Sequence, residues 1–210
     1  YCFLSEDEQS KFAAQDQIYL VKEVRDYDFL NVVGSQRVKL ESPTGMVADW
    51  MWYFQRNDAF LRNEWSNYTN WPYKNHIPSN ISLDNTSNLY INGNYTGTNT
   101  RSILENFGVL FGPDYREISF PRGIYDYVEK YTRTSGFAEE GLYCYNFCLN
   151  TSPYEYQPSG AVNTGRFKTI ELEFNTYTPP VDVSGSTVNI ECDDDGVPVN
   201  ISQKPAWALY

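Results

Sequence analysis

The chain has 210 residues, a formal net charge of −11 and 17% aromatic residues, among them 18 Tyr and 12 Phe. Because a surface this acidic repels phosphate, we expect no direct contact with nucleic acid. No apolar run of about 18 residues is present, so we also expect no insertion into a membrane. The many Tyr, Phe, Val and Thr, with Asn, Gly and Pro between the apolar runs, favour one large all-β domain.

The first quarter of the chain predicts a connector followed by three strands. Residues 1–14 are of mixed composition and are interpreted as the connector. Residues 17–30 carry apolar side chains on both alternating faces, which predicts a strand between packed layers, and residues 37–41 predict a short second strand. In residues 46–56, MVADWMWYFQR, Met, Ala, Trp, Trp and Phe fall on alternate positions, which indicates the strongest core strand.

Residues 61–102 change character, because they are crowded with Asn, Ser, Thr and Gly and show little periodicity. This stretch exceeds an ordinary connection between strands, so we predict a long exposed surface loop. Farther along, Ile124, Tyr127, Val128 and Tyr131 follow the i, i+3, i+4, i+7 spacing of one helical face. That spacing predicts one short helix in an otherwise β-rich chain.

The remaining apolar runs predict strands again. Residues 142–150 predict one strand, and residues 168–178 alternate apolar and polar side chains along another. Residues 186–192 and 204–210 predict two more short strands. Strands of modest length joined by turns indicate a sandwich or a jelly roll rather than alternating βαβ units.

Acidic residues that are close in sequence are better explained as solvated or turn residues than as catalytic or metal-binding groups. Glu171 and Glu173 lie on the polar side of their strand, and the Glu139–Glu140 pair lies in a loop, so both pairs are expected to be ordinary solvated side chains rather than glycosidase carboxylates. Asp193–Asp195 precede a glycine, which favours a hairpin turn. A calcium site is less favoured there, because the loop pattern with a closing Glu is missing.

No other familiar catalytic or metal-binding pattern is found. The single histidine, His76, is accompanied by no nucleophile motif, phosphate loop or metal-ligand motif. The cysteines are Cys2, Cys144, Cys148 and Cys192, and their spacing is not that of a zinc site. Four residues along a strand separate two of them by about 13 Å, too far for a disulfide. We therefore predict buried free thiols, no metal, no cofactor and no enzymatic activity.

Six asparagines satisfy the N-x-[ST] pattern of N-glycosylation, namely Asn67, Asn80, Asn85, Asn94, Asn150 and Asn200. Four of these lie in the predicted loop 61–102, where exposure would permit modification. A chain rich in Asn, Ser and Thr also produces such matches by chance, so both interpretations stay open.

Several segments, in the same order along the chain, together resemble one protein family. They are residues 52–58, 62–73, 112–133, 141–150 and 156–174, the last being YQPSGAVNTGRFKTIELEF. These segments are similar to the major capsid proteins of nucleocytoplasmic large DNA viruses, with a mimivirus-like character. The resemblance covers nearly the whole chain.

The resemblance implies that residues 15–210 are the second jelly roll of a double jelly roll. The family's subunits associate in threes as pseudo-hexagonal capsomers of an icosahedral shell. The chain would then be a structural protein of the virion, assembled in the host cell cytoplasm. Its implied partners are its own copies as a homotrimer, neighbouring capsomers and minor capsid proteins.

The resemblance also leads us to expect that the chain, which stops at Tyr210, lacks the strand that completes this jelly roll. An unpaired sheet edge invites aggregation, so we predict poor solubility.

The same resemblance places a structural turn between two strands, with the residues Gln157, Pro158, Ser159, Gly160, Asn163 and Arg166. Pro158 presets one backbone angle, Gly160 permits a positive φ, and the Asn163 side chain can bond to nearby backbone. We interpret the turn as a requirement of shape rather than as a reactive site.

A glycan-binding jelly-roll module is the alternative function, in which exposed Tyr and Trp side chains or Asp193–Asp195 would recognise the sugar. A carbohydrate-active enzyme is a third interpretation, and it requires two facing carboxylates in a cleft. The strands show no inward-pointing acid pair, which disfavours that interpretation.

Overall fold

A computed structural model of the protein describes residues 3–18, 20–41, 45–73, 100–135, 137–152, 154–155, 157–177, 189–192, 198–202 and 207–210. The strands within these ranges are β1 (Phe29–Val32), β2 (Ser35–Leu40), β3 (Met46–Val47), β4 (Asp49–Arg56), β5 (Leu104–Phe111), β6 (Asp114–Pro121), β7 (Leu142–Asn146), β8 (Val162–Asn163), β9 (Ile170–Thr176), β10 (Asn189–Cys192), β11 (Pro198–Ser202) and β12 (Trp207–Leu209). The α-helices are α1 (Glu6–Ala14) and α2 (Glu129–Arg133).

Eight of the strands form two antiparallel sheets of four, in the orders β1-β12-β4-β7 and β2-β9-β5-β6. When only these eight are counted along the chain, the orders become 1-8-3-6 and 2-7-4-5, which is the jelly-roll arrangement. The strands β3 and β8 form a separate short pair, as do β10 and β11. The predicted all-β jelly-roll class is therefore confirmed.

The last strand lies inside its sheet. Trp207 pairs with Val32 of β1 on one side and with Arg56 of β4 on the other, and Leu209 pairs with Phe29 and Phe54. The short strand predicted over residues 204–210 is therefore present as β12, and it pairs on both of its sides. The expectation that a further strand completes the jelly roll, and the poor solubility predicted from it, stay predictions.

Aromatic side chains from both sheets form the core. Trp52 of β4 stacks on Phe107 of β5 with ring centroids 4.3 Å apart, and Phe54 of β4 contacts Phe174 of β9 edge-on at 5.0 Å. Burial of such side chains stabilises the fold by roughly 1.5–3 kcal/mol each. The alternation predicted for β4 is confirmed at these positions, whereas Met46, which belongs to the separate strand β3, is 67% exposed.

The N-terminal residues differ from the prediction. The connector contains α1, whose first turn is closed by a capping box between Ser5 and Glu8. The strand predicted over residues 17–30 is wrong for the described residues before Phe29, which are not in a strand. Alternation predicts which face a strand would bury, but no neighbouring strand pairs here, and Ile18 and Val24 are 94% and 96% exposed.

The helix predicted from the Ile124–Tyr131 spacing exists, but its buried face was predicted wrongly. A π-helical turn, Ile124–Val128, runs directly into α2. Tyr125 and Asp126 are buried, whereas Tyr127 and Tyr131 are 59% and 90% exposed. A π-helical turn has i→i+5 hydrogen bonds, so the 3.6-residue period does not identify its inner face. The expectation of a single helix was also wrong, since α1 is a second one.

Candidate functional site

The last residue of β4 and the residues after it form a buried ionic cluster at the base of the predicted loop. Both carboxylate oxygens of Asp58 accept hydrogen bonds from Arg56, each at 2.8 Å, and one also accepts from Nε of Arg62 at 3.0 Å. The three side chains are at most 3% exposed. Bidentate geometry of this kind compensates for the desolvation of buried charges.

A second set of polar contacts folds the following residues onto themselves. The Asn67 amide nitrogen donates to Glu64 Oε2 at 2.7 Å and to the Trp71 carbonyl oxygen at 2.8 Å. The other carboxylate oxygen of Glu64 accepts from the Tyr73 backbone N–H at 3.0 Å. The Thr69 hydroxyl donates to the side-chain Oδ1 of Asn67 at 2.7 Å. These bonds give residues 64–73 a fixed shape without a regular strand or helix.

The two ends of the predicted loop meet. The buried Asn70 side chain donates to the carbonyl oxygens of Ser102 at 3.2 Å and Tyr177 at 3.1 Å, and its backbone N–H donates to the Arg101 carbonyl oxygen at 2.8 Å. The prediction that 61–102 is an exposed loop is therefore wrong at both of its ends. Residues 74–99 lie outside the described residues.

The sequons fall into different settings. Asn67 is 3% exposed, so the exposure that we expected for this sequon is wrong. Asn80, Asn85 and Asn94 lie outside the described residues. Asn150 is exposed, and Asn200 lies in β11. Asn150 is thus the one sequon whose side chain the described part of the chain presents to solvent.

The predicted structural turn packs against the residues after β7. Ser159 Oγ donates to the Asn150 carbonyl oxygen at 3.0 Å and accepts from the Asn150 N–H at 2.8 Å. Gly160 has a φ of 141°, and a Cβ added there would lie 3.1 Å from the Phe147 carbonyl oxygen. Only glycine tolerates that backbone angle together with that close approach.

The second half of the turn caps a short helical turn. Asn163 Oδ1 accepts from the Gly165 N–H at 3.1 Å and caps the 3₁₀ turn Thr164–Arg166. Gln157, Pro158 and Arg166 are exposed. These contacts are local and structural, and they position the strand β9 that follows.

The strand carboxylates are held by an arginine of the neighbouring strand. Arg37 of β2 hydrogen-bonds to Glu173 and lies 3.6 Å from Glu171, and the Tyr115 hydroxyl donates to Glu173 at 3.1 Å. The hydrogen bond from Arg37 lowers the pKa of Glu173. This cross-strand ionic contact lies on the outer side of the sheet, where the sequence predicted solvated acids.

The structure describes some, but not all, of the other acidic, cysteine and histidine residues considered in the sequence. Glu140 lies 3.4 Å from Arg101 as a surface ion pair. Cys144 and Cys148 are buried free thiols, as predicted for these two. His76, Asp193–Asp195 and Cys2 lie outside the described residues, and the described ones contain no cluster of three His, Cys, Asp or Glu side chains that could hold a metal.

Several of the exposed large apolar side chains fall into two groups within the described residues. One is the N-terminal arm, residues 3–28, which carries Phe3, Phe12, Ile18, Leu20, Val21 and Val24. The other is the helix face, formed by Ile124, Tyr127, Val128 and Tyr131. Exposed apolar surface of this extent is typical of sites of protein association. No helix in the described ranges has the length and apolar character needed to span a bilayer.

The fold is similar to that of viral capsid proteins. A quasi-atomic model of the PBCV-1 virus capsid matches 99% of this chain and 50% of its own, with 19% identity and a TM-score of 0.59. The crystal structure of PBCV-1 VP54, fitted into a cryo-EM reconstruction of the virophage Sputnik, matches the same shares with 20% identity and a TM-score of 0.64. The Faustovirus major capsid protein matches 73% of this chain and 29% of its own, with 14% identity and a TM-score of 0.53.

The chain thus has the jelly-roll fold of these capsid proteins and spans about half the length of the PBCV-1 chains that it matches. Comparison with protein-family models gave no match. Comparison with curated proteins gave none either.

Proposed function

We propose that the chain is a structural part of a viral capsid, the second jelly roll of a major capsid protein of a large DNA virus. One observation carries the proposal: its eight sheet strands have the jelly-roll order, and the fold superposes over 99% of the chain on capsid proteins twice as long. A half-length match is what one jelly roll of a double jelly roll produces.

The mechanism in this proposal is self-association. The N-terminal arm and the helix face expose large apolar side chains, Val24 being 96% and Tyr131 90% exposed. Association that buries such groups removes apolar surface from water, which is the main driving force of assembly. Three copies would form a homotrimeric, pseudo-hexagonal capsomer, which then meets neighbouring capsomers and minor capsid proteins. Interfaces of permanent assemblies bury about 2,000–5,000 Å² or more.

The proposal places the protein in the virion, with assembly in the host cell cytoplasm and no contact with nucleic acid. A net charge of −11 supports the last point, because it repels phosphate. We also propose no enzymatic role. The Glu171 and Glu173 carboxylates, which come nearest to a catalytic pair, are engaged by Arg37 on an outer sheet face rather than in a cleft.

Quantitative mass spectrometry of purified particles of the virus that encodes this chain tests the proposal. A major capsid protein is expected among the most abundant polypeptides of the particle, in a fixed ratio to the other shell components. Absence of its peptides from purified particles, with the protein present in infected cells, would overturn the capsid role.

A further inference from the structure

A cleft of about 350 Å³ lies on the first sheet beside β12, between the end of β1 and the residues that follow β4. Six of the nine described residues that line it are aromatic or carry an amide. Three are aromatic, Phe60, Trp65 and Tyr210, and three carry amides, Asn31, Gln55 and Asn57. Its volume is within the range of small-molecule sites, which is about 300–1,000 Å³.

The aromatic side chains are exposed yet held in place. Trp65 is 67% and Tyr210 41% exposed. The Trp65 indole N–H donates to Asn63 Oδ1 at 2.8 Å. The backbone carbonyl oxygen of Trp65 accepts from the Gln55 side-chain amide at 2.9 Å. Tyr210 stacks on Tyr53 at 5.2 Å and exchanges two backbone hydrogen bonds of 3.1 Å with it. Because these contacts already order the two rings, ligand binding would cost little further side-chain entropy.

The amides leave hydrogen-bonding capacity toward the cleft. Asn57 Nδ2 donates to Asn31 Oδ1 at 2.9 Å, so the two carboxamides orient each other. Each carboxamide has two N–H donors and an oxygen with two lone pairs, and the shared bond uses one donor and one lone pair. The Asn57 oxygen and the Asn31 amino group can bond a hydroxyl, which is both a donor and an acceptor.

Unusual backbone geometry supports the same cleft. Among the described residues, Asn31 (φ 58°) and Asn63 (φ 55°) are the non-glycine residues with positive φ. Asn31 lies where the register between β1 and β12 shifts, and Asn63 holds the Trp65 indole. Left-handed residues outside glycine are uncommon and concentrate at binding sites, as do irregularities of strand register.

Among the described residues, no accessible charged side chain lines the cleft. Arg56 is the one charged residue that lines the cleft within the described part of the chain, and it is 4% exposed and bonded to Asp58. On this described wall, a phosphate or a carboxylate would meet no accessible cationic side chain, and an ammonium no accessible anionic one. Exposed aromatic faces beside neutral amides suit a ligand with C–H groups on one face and hydroxyls at its edge.

We propose that this cleft binds a neutral saccharide, with a sugar ring against Trp65 and its hydroxyls bonded to Asn31 and Asn57. The inference goes beyond a capsid role and does not depend on it, because a jelly roll can present this cleft whether or not it is part of a capsid. A protein interface is the competing use of exposed aromatic side chains, and it requires about 800 Å² on each partner.

The test is isothermal titration of the whole chain with neutral hexasaccharides of glucose (β-1,4 and β-1,3), mannose, galactose and N-acetylglucosamine, alongside tryptophan fluorescence. At least one is expected to bind. Trp65→Ala should weaken that binding about tenfold or more, equal to about 1.4 kcal/mol, and Asn57→Ala should weaken it too. Tyr154→Ala, an aromatic that is 88% exposed and lies outside the cleft and both apolar surfaces, is the matched control and should leave the affinity within twofold.

Three results would overturn the saccharide site. They are failure of all five probes to bind at millimolar concentration, binding that Trp65→Ala leaves unchanged, and a Trp65→Ala variant that instead lowers the oligomeric state in sedimentation. The last result would assign the cleft to a protein interface. Thermal unfolding of each variant, expected near that of the parent chain, separates loss of binding from loss of fold.

Discussion

The side-chain amide of Asn70 donates a hydrogen bond to the carbonyl oxygen of Ser102, a residue 32 positions later, at 3.2 Å in the buried interior. Thr69 and Ser102 also form an isolated antiparallel bridge. The described residues on either side of residues 74–99 therefore meet at one place. The contacts that join them are made by Thr69, Asn70 and Ser102 themselves.

Replacement of residues 74–99 by a short Gly-Ser linker is expected to leave a folded, cooperatively unfolding domain. The anchors at Asn70 and Ser102 remain, and the entropy of loop closure changes only slowly with loop length. Urea unfolding followed by tryptophan fluorescence measures this. Asn70→Ala is the companion variant and should cost about 1–3 kcal/mol, because buried carbonyl groups lose their donor. A linker variant without a cooperative transition would contradict the prediction.

Asp58→Ala is expected to be among the most destabilising single substitutions in the described chain. It leaves Arg56 and Arg62 buried without their shared carboxylate, and loss of one partner of a buried ion pair costs about 3–5 kcal/mol. The urea midpoint of the variant reports the loss. Glu155→Ala removes an exposed carboxylate and is the matched control. Equal midpoints for the two variants would show that the cluster contributes no stability.

Arg37→Ala is expected to raise the pKa of Glu173 toward its ordinary value. In the parent chain the hydrogen bond from Arg37 lowers this pKa. A carboxyl whose pKa is lower in the folded state stabilises the fold above its unfolded pKa, and that contribution is lost as the pH falls through the folded pKa. NMR titration of the side-chain carboxyl carbon measures the shift. An unchanged titration in the variant would contradict the contact.

Substitution of charge into the helix face is expected to weaken self-association without unfolding the domain. Tyr127 and Val128 are 59% and 48% exposed, so Tyr127→Glu and Val128→Glu remove few internal contacts. Burial of the new charges in an interface would be costly. Lys168→Glu places the same charge at an exposed polar position and is the control. Sedimentation velocity should show dissociation for the helix-face variants alone, and equal behaviour of all three variants would exclude this face from the interface.

An all-β, sandwich-like fold could be predicted from the alternation because its sheets bury one face, whereas the jelly roll in particular was implied by the family resemblance. In β9, Ile170, Leu172 and Phe174 point inward while Glu171 and Glu173 point outward, and this period of two is visible in the chain itself. The same rule failed for the described residues between 17 and 28, where the alternation is present but no described strand pairs with them. Pairing depends on residues far away in sequence, and alternation carries no information about them.

The buried ionic cluster and the polar contacts of residues 64–73 could not be predicted either, because they too depend on contacts between side chains that the sequence does not reveal. Residues such as Arg62, Glu64 and Asn67 usually indicate an exposed loop, and only the positions of their partners make them buried. The cleft is equally dependent on distant residues, because Asn31, Trp65 and Tyr210 meet only when β12 inserts beside β4. An exposed Trp next to an Asn-rich stretch was the one indication in the sequence.

Sedimentation equilibrium of the purified chain over a wide concentration range tests the central claim most directly. If the chain is a capsid jelly roll that assembles through its exposed apolar surfaces, the associated species has three times the chain mass of 24.3 kDa. A single species at the monomer mass at every concentration would contradict self-association as its function.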